Sequence, residues 1–111
     1  MARHSIEAVT QLDRANLQRV ICRVVECSGL EVIWVDGAKV TAREPDAVWN
    51  DSAAVTVNVS CFAHRENAVR IEWMVQSQEL SLRPDTRARQ VFHRLCDTLE
   101  ETPRLALLAA A

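Results

Sequence analysis

The chain has 111 residues, enough for one hydrophobic core and one domain over 1–111. Apolar residues make up 49% and charged residues 25%, with two Gly and three Pro, which excludes low-complexity disorder. A formal net charge of −2 gives no global attraction to nucleic acid or anionic lipid, and no stretch is apolar for the length of a membrane span.

The first residues, Met1 to Glu7, lack the apolar run of a signal peptide, so a cytoplasmic protein is expected. Cys22, Cys27, Cys61 and Cys96 are then reduced thiols. Three of the four fall on expected core faces, where Cys acts as a small hydrophobe. Arg accounts for twelve of the thirteen basic residues and Tyr is absent, a bias of composition rather than a sign of chemistry.

A first helix is expected from Thr10 or Asp13 to Ser28. Thr10 with Asp13 three residues on resembles a capping box. Leu17, Val20, Ile21, Val24 and Val25 recur at helical spacing, and Gly29 supplies a left-handed stop. Ile6 and Val9 extend this helix backward, or the residues before Thr10 fray.

Leu30 to Val35 reads as a strand, Asp36-Gly37 as a turn, and Ala38 to Arg43 as a second strand. A two-residue loop there pairs Val35 with Ala38 and Ile33 with Val40 on the core face. It leaves Val32 and Trp34 on the far side, opposite Thr41 and Lys39. Glu44 to Ser52 is a loop in which Trp49 is expected to cover a core edge.

Two alternating arms follow, from Ala53 to His64 and from Ala68 to Gln76. Only an odd-length loop, Arg65-Glu66-Asn67, keeps every apolar residue on one side. That register sets Ala63 opposite Val69, Cys61 opposite Ile71, Val59 opposite Trp73 and Val57 opposite Val75. The other face pairs Phe62 with Arg70, Ser60 with Glu72 and Asn58 with Met74. Asn67 suits the left-handed position such a loop needs.

Gln76 to Arg83 is a connection, with Leu80 and Leu82 as core plugs. A last long helix starts near Pro84 or Asp85 and runs to about Glu101, with Ala88, Val91, Phe92, Leu95 and Leu99 as its apolar stripe. Thr102-Pro103 ends it and opens a short final helix containing Leu105, Leu107 and Leu108.

The expected fold is therefore α+β in two layers. A four-stranded antiparallel meander is flanked by an N-terminal and a C-terminal helix, in the order α-β-β-β-β-α. This layout is similar to that of small secretion-chaperone-like α+β dimers, at the level of the fold.

Chemical motifs are weak throughout. Cys61-x-x-His64 and His93-x-x-Cys96 invite a zinc reading. Residues three apart on a strand face opposite sides, and Cys96 flanks a core stripe, so core thiols and surface histidines are the better account. Cys61 on a buried face is likewise an inert thiol rather than a nucleophile. Glu44 with Asp46, and Glu100 with Glu101, read as solvated acids. No phosphate loop or nucleophile elbow occurs. No metal, cofactor or catalytic residue is assigned, and the balance leans away from an enzyme. Arg83, Arg87, Arg89 and Arg94 around the last helix are offset by nearby acids, and without aromatic interleaving they make a poor nucleic-acid surface.

The outer sheet face carries the most informative pattern. Val32, Trp34, Phe62 and Met74 are expected there, with Arg70 among polar neighbours. Trp, Phe, Met and Arg are enriched in interface cores. These five residues are the candidate partner-binding site of a small adaptor- or chaperone-like protein, expected to form a homodimer or hold a protein partner. The alternative is a small-molecule-binding or catalytic domain with its pocket between sheet and helices.

Overall fold

The computed structural model describes residues 2–45, 54–65, 67–79 and 86–110, the last five by their backbone. The elements are β1 (Ala2–Thr10), α1 (Arg14–Cys27), β2 (Glu31–Asp36), β3 (Lys39–Arg43), β4 (Thr56–Ala63), β5 (Val69–Ser77), α2 (Arg87–Glu100) and β6 (Ala106–Ala110). They build an α+β fold with one antiparallel sheet in the order β2-β3-β4-β5-β1-β6. Helix α1 packs over β2 and β3, and α2 over β1, β5 and β6, so one face of the sheet is covered. Among the described residues no helix is long and apolar enough to cross a membrane.

The meander of four strands is present as β2 to β5. The sheet is larger than the sequence reading by two strands, and both correct it. Residues 2–10 do not extend α1 or fray. They form β1, an interior strand between β5 and β6. Ala2, Ile6, Ala8 and Thr10 are buried on its inner side, while Arg3, Glu7 and Val9 lie on the other. Alternation is there, but Ala, His and Thr give it little hydrophobic contrast. The tail is likewise no helix. Leu105 donates its N–H to the carbonyl of Thr102 at 3.0 Å in a turn, and the Thr10 hydroxyl donates to the carbonyl of Arg104 at 2.8 Å. These bonds deliver β6 to the free side of β1. An all-apolar run such as Ala106–Ala110 has no period that separates strand from helix.

The two helices have defined ends. Asp13 caps α1 by accepting from Asn16 N–H at 2.9 Å, and Thr86 caps α2 by accepting from Arg89 N–H at 3.2 Å. At the far end of α1, Gly29 sits at φ +83°. Its N–H bonds to the carbonyl of Glu26 at 3.0 Å, and that of Leu30 to Val25 at 3.2 Å, which is the Schellman pattern. Ser28 then ties the helices together: its Oγ lies 2.8 Å from Val24 O and 3.0 Å from Thr98 Oγ1.

The core lies between the sheet and the helices. Leu17, Ile21, Val24 and Val25 of α1 and Ala88, Val91, Leu95 and Leu99 of α2 close over Val57, Val59, Ile71, Trp73 and Val75. The β4–β5 register is the one the loop parity demands: Val57 with Val75, Val59 with Trp73, Cys61 with Ile71 and Ala63 with Val69. Asn67 takes φ +57°, and His64 N–H reaches Ala68 O at 3.1 Å. Trp73 is wholly buried, and its indole N–H has no hydrogen-bond partner among the described residues. Trp49, Leu80, Leu82, Pro84 and Asp85, and the side chains of Leu107 and Leu108, lie outside the described residues.

Candidate functional site

The face of the sheet away from the helices carries the candidate interaction site, and the β2–β3 hairpin shapes it. Gly37, at φ +47°, and Ala38 form the two-residue turn, so Asp36 pairs with Lys39. Gly at the first central position is what a type II′ hairpin asks for. Val35 then pairs with Val40 and Trp34 with Thr41, each partner two residues beyond the expected one. Beyond Trp34 the register shifts, and Val32 pairs with Ala42. Ile33 and Trp34 together oppose Thr41, which is a β-bulge.

The bulge corrects two placements. Val32 is not on the outer face: it shares the inner side with Ala42, is half-buried and packs against the core. Ile33, expected inside, is 45% exposed. Val35 lies on the Val40 side but is 41% exposed, next to the turn on the last strand of the sheet. Trp34 does face outward, at 52% exposure. The extra residue lets Val32 enter the core, at the expense of one ladder pair.

The remaining candidates fall on two rows. Trp34, Thr41, Asn58, Met74 and Ser5 form one row across the sheet. Strands lie about 4.8 Å apart, so Trp34 and Met74 are separated by roughly 14 Å. Thr41 Oγ1 donates to Asn58 Oδ1 at 3.0 Å between them. Phe62 and Arg70 belong to another row, with Val9. The Arg70 guanidinium lies 5.0 Å from the centre of the Phe62 ring, and its Nη1 is 2.9 Å from Glu7 Oε1. The structure thus brings Phe62 and Arg70 together and sets Trp34 and Met74 apart from them, with Lys39, Ser60 and Glu72 on the face between.

Sequence reasoning missed the joint apolar exposure of Ile33, Trp34 and Val35. Its signal was the unbroken apolar run Val32–Val35, which has no alternation and so marks a strand with both faces apolar.

Titratable groups lie elsewhere. Glu44, expected in solvent, is buried: its carboxylate takes Arg87 Nη2 at 2.6 Å and Nε at 3.1 Å, and accepts from Val55 N–H at 3.2 Å. Glu79 accepts from the N–H groups of Arg87 and Ala88 at 3.0 and 3.2 Å, over the start of α2. His4 stacks on Phe92 with centroids 5.0 Å apart. Burial, helped by Arg89 and His93, pushes the His4 pKa down. Burial raises the thiols of Cys22, Cys61 and Cys96, and the Arg14 charge partly opposes this at Cys61. Cys61 and His64 are at the end of β4, while His93 and Cys96 ride on α2 over other strands. Among the described residues no three His, Cys, Asp or Glu side chains group as metal ligands.

Comparison with known proteins bears on the fold. No protein-family model matches the chain, and no curated protein sequence does. The crystal structure of an HSP90 activator from Plasmodium falciparum is similar at a TM-score of 0.60 and 11% sequence identity, covering 97% of this chain and 100% of that chain. At that identity the likeness is one of fold: an antiparallel sheet with helices, in an α+β arrangement.

Proposed function

We propose that this chain is a small protein-binding module, one domain over 1–111, that works as a homodimer in the cytoplasm. Its contact surface is the outer sheet face at the β2 margin, with Trp34 as anchor. The observation that carries this reading is the apolar exposure of the edge strand: Ile33 and Trp34 at the bulge are 45% and 52% exposed, and Val35, on the other side of the strand, is 41% exposed. Contiguous apolar exposure of this kind favours a partner, and Trp is the residue type that most often concentrates binding energy. Phe62, at 43% exposure with the Arg70 guanidinium over its ring, is a second apolar point on the same face. Arg70 and Met74 complete the surface. A two-fold axis is the natural operator, since one surface then serves both copies.

The bulge decides how the copies meet. It interrupts the regular ladder at Ile33 and Trp34 on the free edge, and bulges at an edge oppose strand-to-strand extension. Contact through the sheet face is therefore favoured over a continuous sheet across the dimer. The fold likeness to an HSP90 activator fits a chaperone-like binding role at the level of the fold.

Hydrogen exchange at low and high protein concentration tests the reading. Concentration-dependent protection confined to β2, β3, the Phe62 end of β4 and β5 around Arg70 and Met74 supports it. Uniform exchange at both concentrations opposes it.

A further inference from the structure

A second feature lies at the hairpin ends, where Phe62 borders it. On the helix side, the start of α1 stands over the ends of both hairpins. Arg14, Leu17, Gln18 and Ile21 follow one another at helical spacing on the face of α1 that looks onto this end of the sheet. Below them are Val40 of β3, Cys61 of β4 and Val69 of β5, and the turn residues Gly37 and Ala38 close one side. Side chains at these hairpin ends are small, so α1 and the sheet do not meet there. A cleft of about 150 Å³ results.

Its size and lining select a ligand class. An apolar cavity of about 150 Å³ accepts a benzene-sized group in another, well-characterised protein. The walls here are almost wholly apolar, aliphatic side chains with the Cys61 thiol and the Phe62 ring among them. The polar groups at the mouth are Arg14 and Gln18. Arg14 forms no ion pair with a described carboxylate. The first turn of α1 holds no acidic residue, and Asp13 is engaged with Asn16. A guanidinium without a counter-charge among the described residues, at the mouth of an apolar cleft, matches an anionic head on an apolar body.

We propose that this cleft binds a small aromatic carboxylate, with a single ring against Leu17, Ile21, Val40 and Val69 and the carboxylate on Arg14. Gln18 offers its amide to the same head group. Trp34, the anchor of the proposed contact surface, is not among its walls, and Phe62 is the residue the two surfaces share.

The test uses 3-phenylpropionate, its neutral analogue 3-phenylpropan-1-ol, and acetate, followed by amide NMR titration of the full chain. The acid is expected to shift the amides of Leu17, Cys61 and Val69 saturably and to slow the reaction of the Cys61 thiol with a maleimide. The alcohol should move the same amides with roughly tenfold weaker affinity, since it lacks the charge-assisted bond. Acetate should leave them unmoved. Arg14→Gln should bring acid and alcohol to the same affinity. Ala38→Leu adds volume at an exposed turn position and should abolish binding of both with little change in melting temperature. Trp34→Glu should leave binding intact. The proposal is overturned if the acid gives no saturable shift up to ~20 mM, where a ligand of this size binds even at the lowest usual efficiency per atom. It is overturned equally if acid and alcohol bind the wild-type chain alike, or if Ala38→Leu binds as the wild type does.

Discussion

Glu44 and Arg87 form a two-pronged ion pair in which the carboxylate is 8% exposed and the guanidinium 55%. The pair joins the end of β3 to the start of α2, and the same carboxylate accepts from Val55 N–H just before β4. Removing Arg87 leaves a buried charge without its main counter-charge. Breaking a fully buried pair costs about 3–5 kcal/mol, and the half-exposed guanidinium brings the expectation for Arg87→Ala to about 2 kcal/mol. Glu44→Gln keeps an acceptor for Val55 and should cost less. Urea denaturation of both variants checks the order. Arg87→Ala as stable as the wild type would show that the pair contributes nothing.

Trp73 is wholly buried opposite Val59, with its indole N–H unpartnered among the described residues. Trp73→Ala is expected to cost about 3–5 kcal/mol through the cavity it leaves. Trp73→Phe should cost far less, because the desolvated N–H leaves with the indole. Thermal melts of the two variants separate these contributions. Equal losses would mean that the N–H carries no penalty.

The contrast between Trp73 and Ile33 shows what was legible in the sequence. Around Trp73, strict alternation and the parity of the Arg65–Asn67 loop leave one register, and the structure adopts it. Around Ile33 the run Val32–Val35 is apolar on both faces, so the pattern cannot choose a register. Burial of Val32 chooses it instead, by way of a bulge. The same reason hid β1 and β6: Ala and Thr alternate without contrast, and Ala-Leu-Leu-Ala-Ala has no alternation. Glu44 escaped because its partner, Arg87, is distant in the chain. Arg70 opposite Phe62 followed directly from strand parity.

Acid should weaken the fold through His4. Burial first, then Arg89 and His93, hold its pKa below the ordinary value. The unfolded chain therefore takes up this proton at a higher pH than the folded one. The contribution is fully present above about pH 6.5 and is lost as pH falls through the folded pKa. His4→Phe keeps a ring on Phe92 and removes the titration. Its denaturation midpoint should vary less between neutral and mildly acidic pH than that of the wild type. An unchanged slope would exclude His4 as the cause.

The thiols should react in a fixed order. Cys27 is exposed, while Cys22, Cys61 and Cys96 are half-buried with pKa values pushed up by burial. The thiolate is the reacting form. A disulfide reagent in slight excess at mildly alkaline pH should therefore modify Cys27 first, as read by peptide mass spectrometry. Modification of Cys61 first would contradict the described packing.

Sedimentation equilibrium of the wild type and Trp34→Glu tests the central claim most directly. Trp34 is outward on an edge strand, so the substitution adds a charge without entering the core. In a dimer that charge would be desolvated at the contact. The expected result is a wild-type dimer at micromolar concentration and a folded Trp34→Glu monomer, or a dimer weakened by about tenfold or more. A wild-type chain that remains monomeric at high micromolar concentration would contradict the homodimer, and equal association of the two proteins would remove Trp34 from the interface.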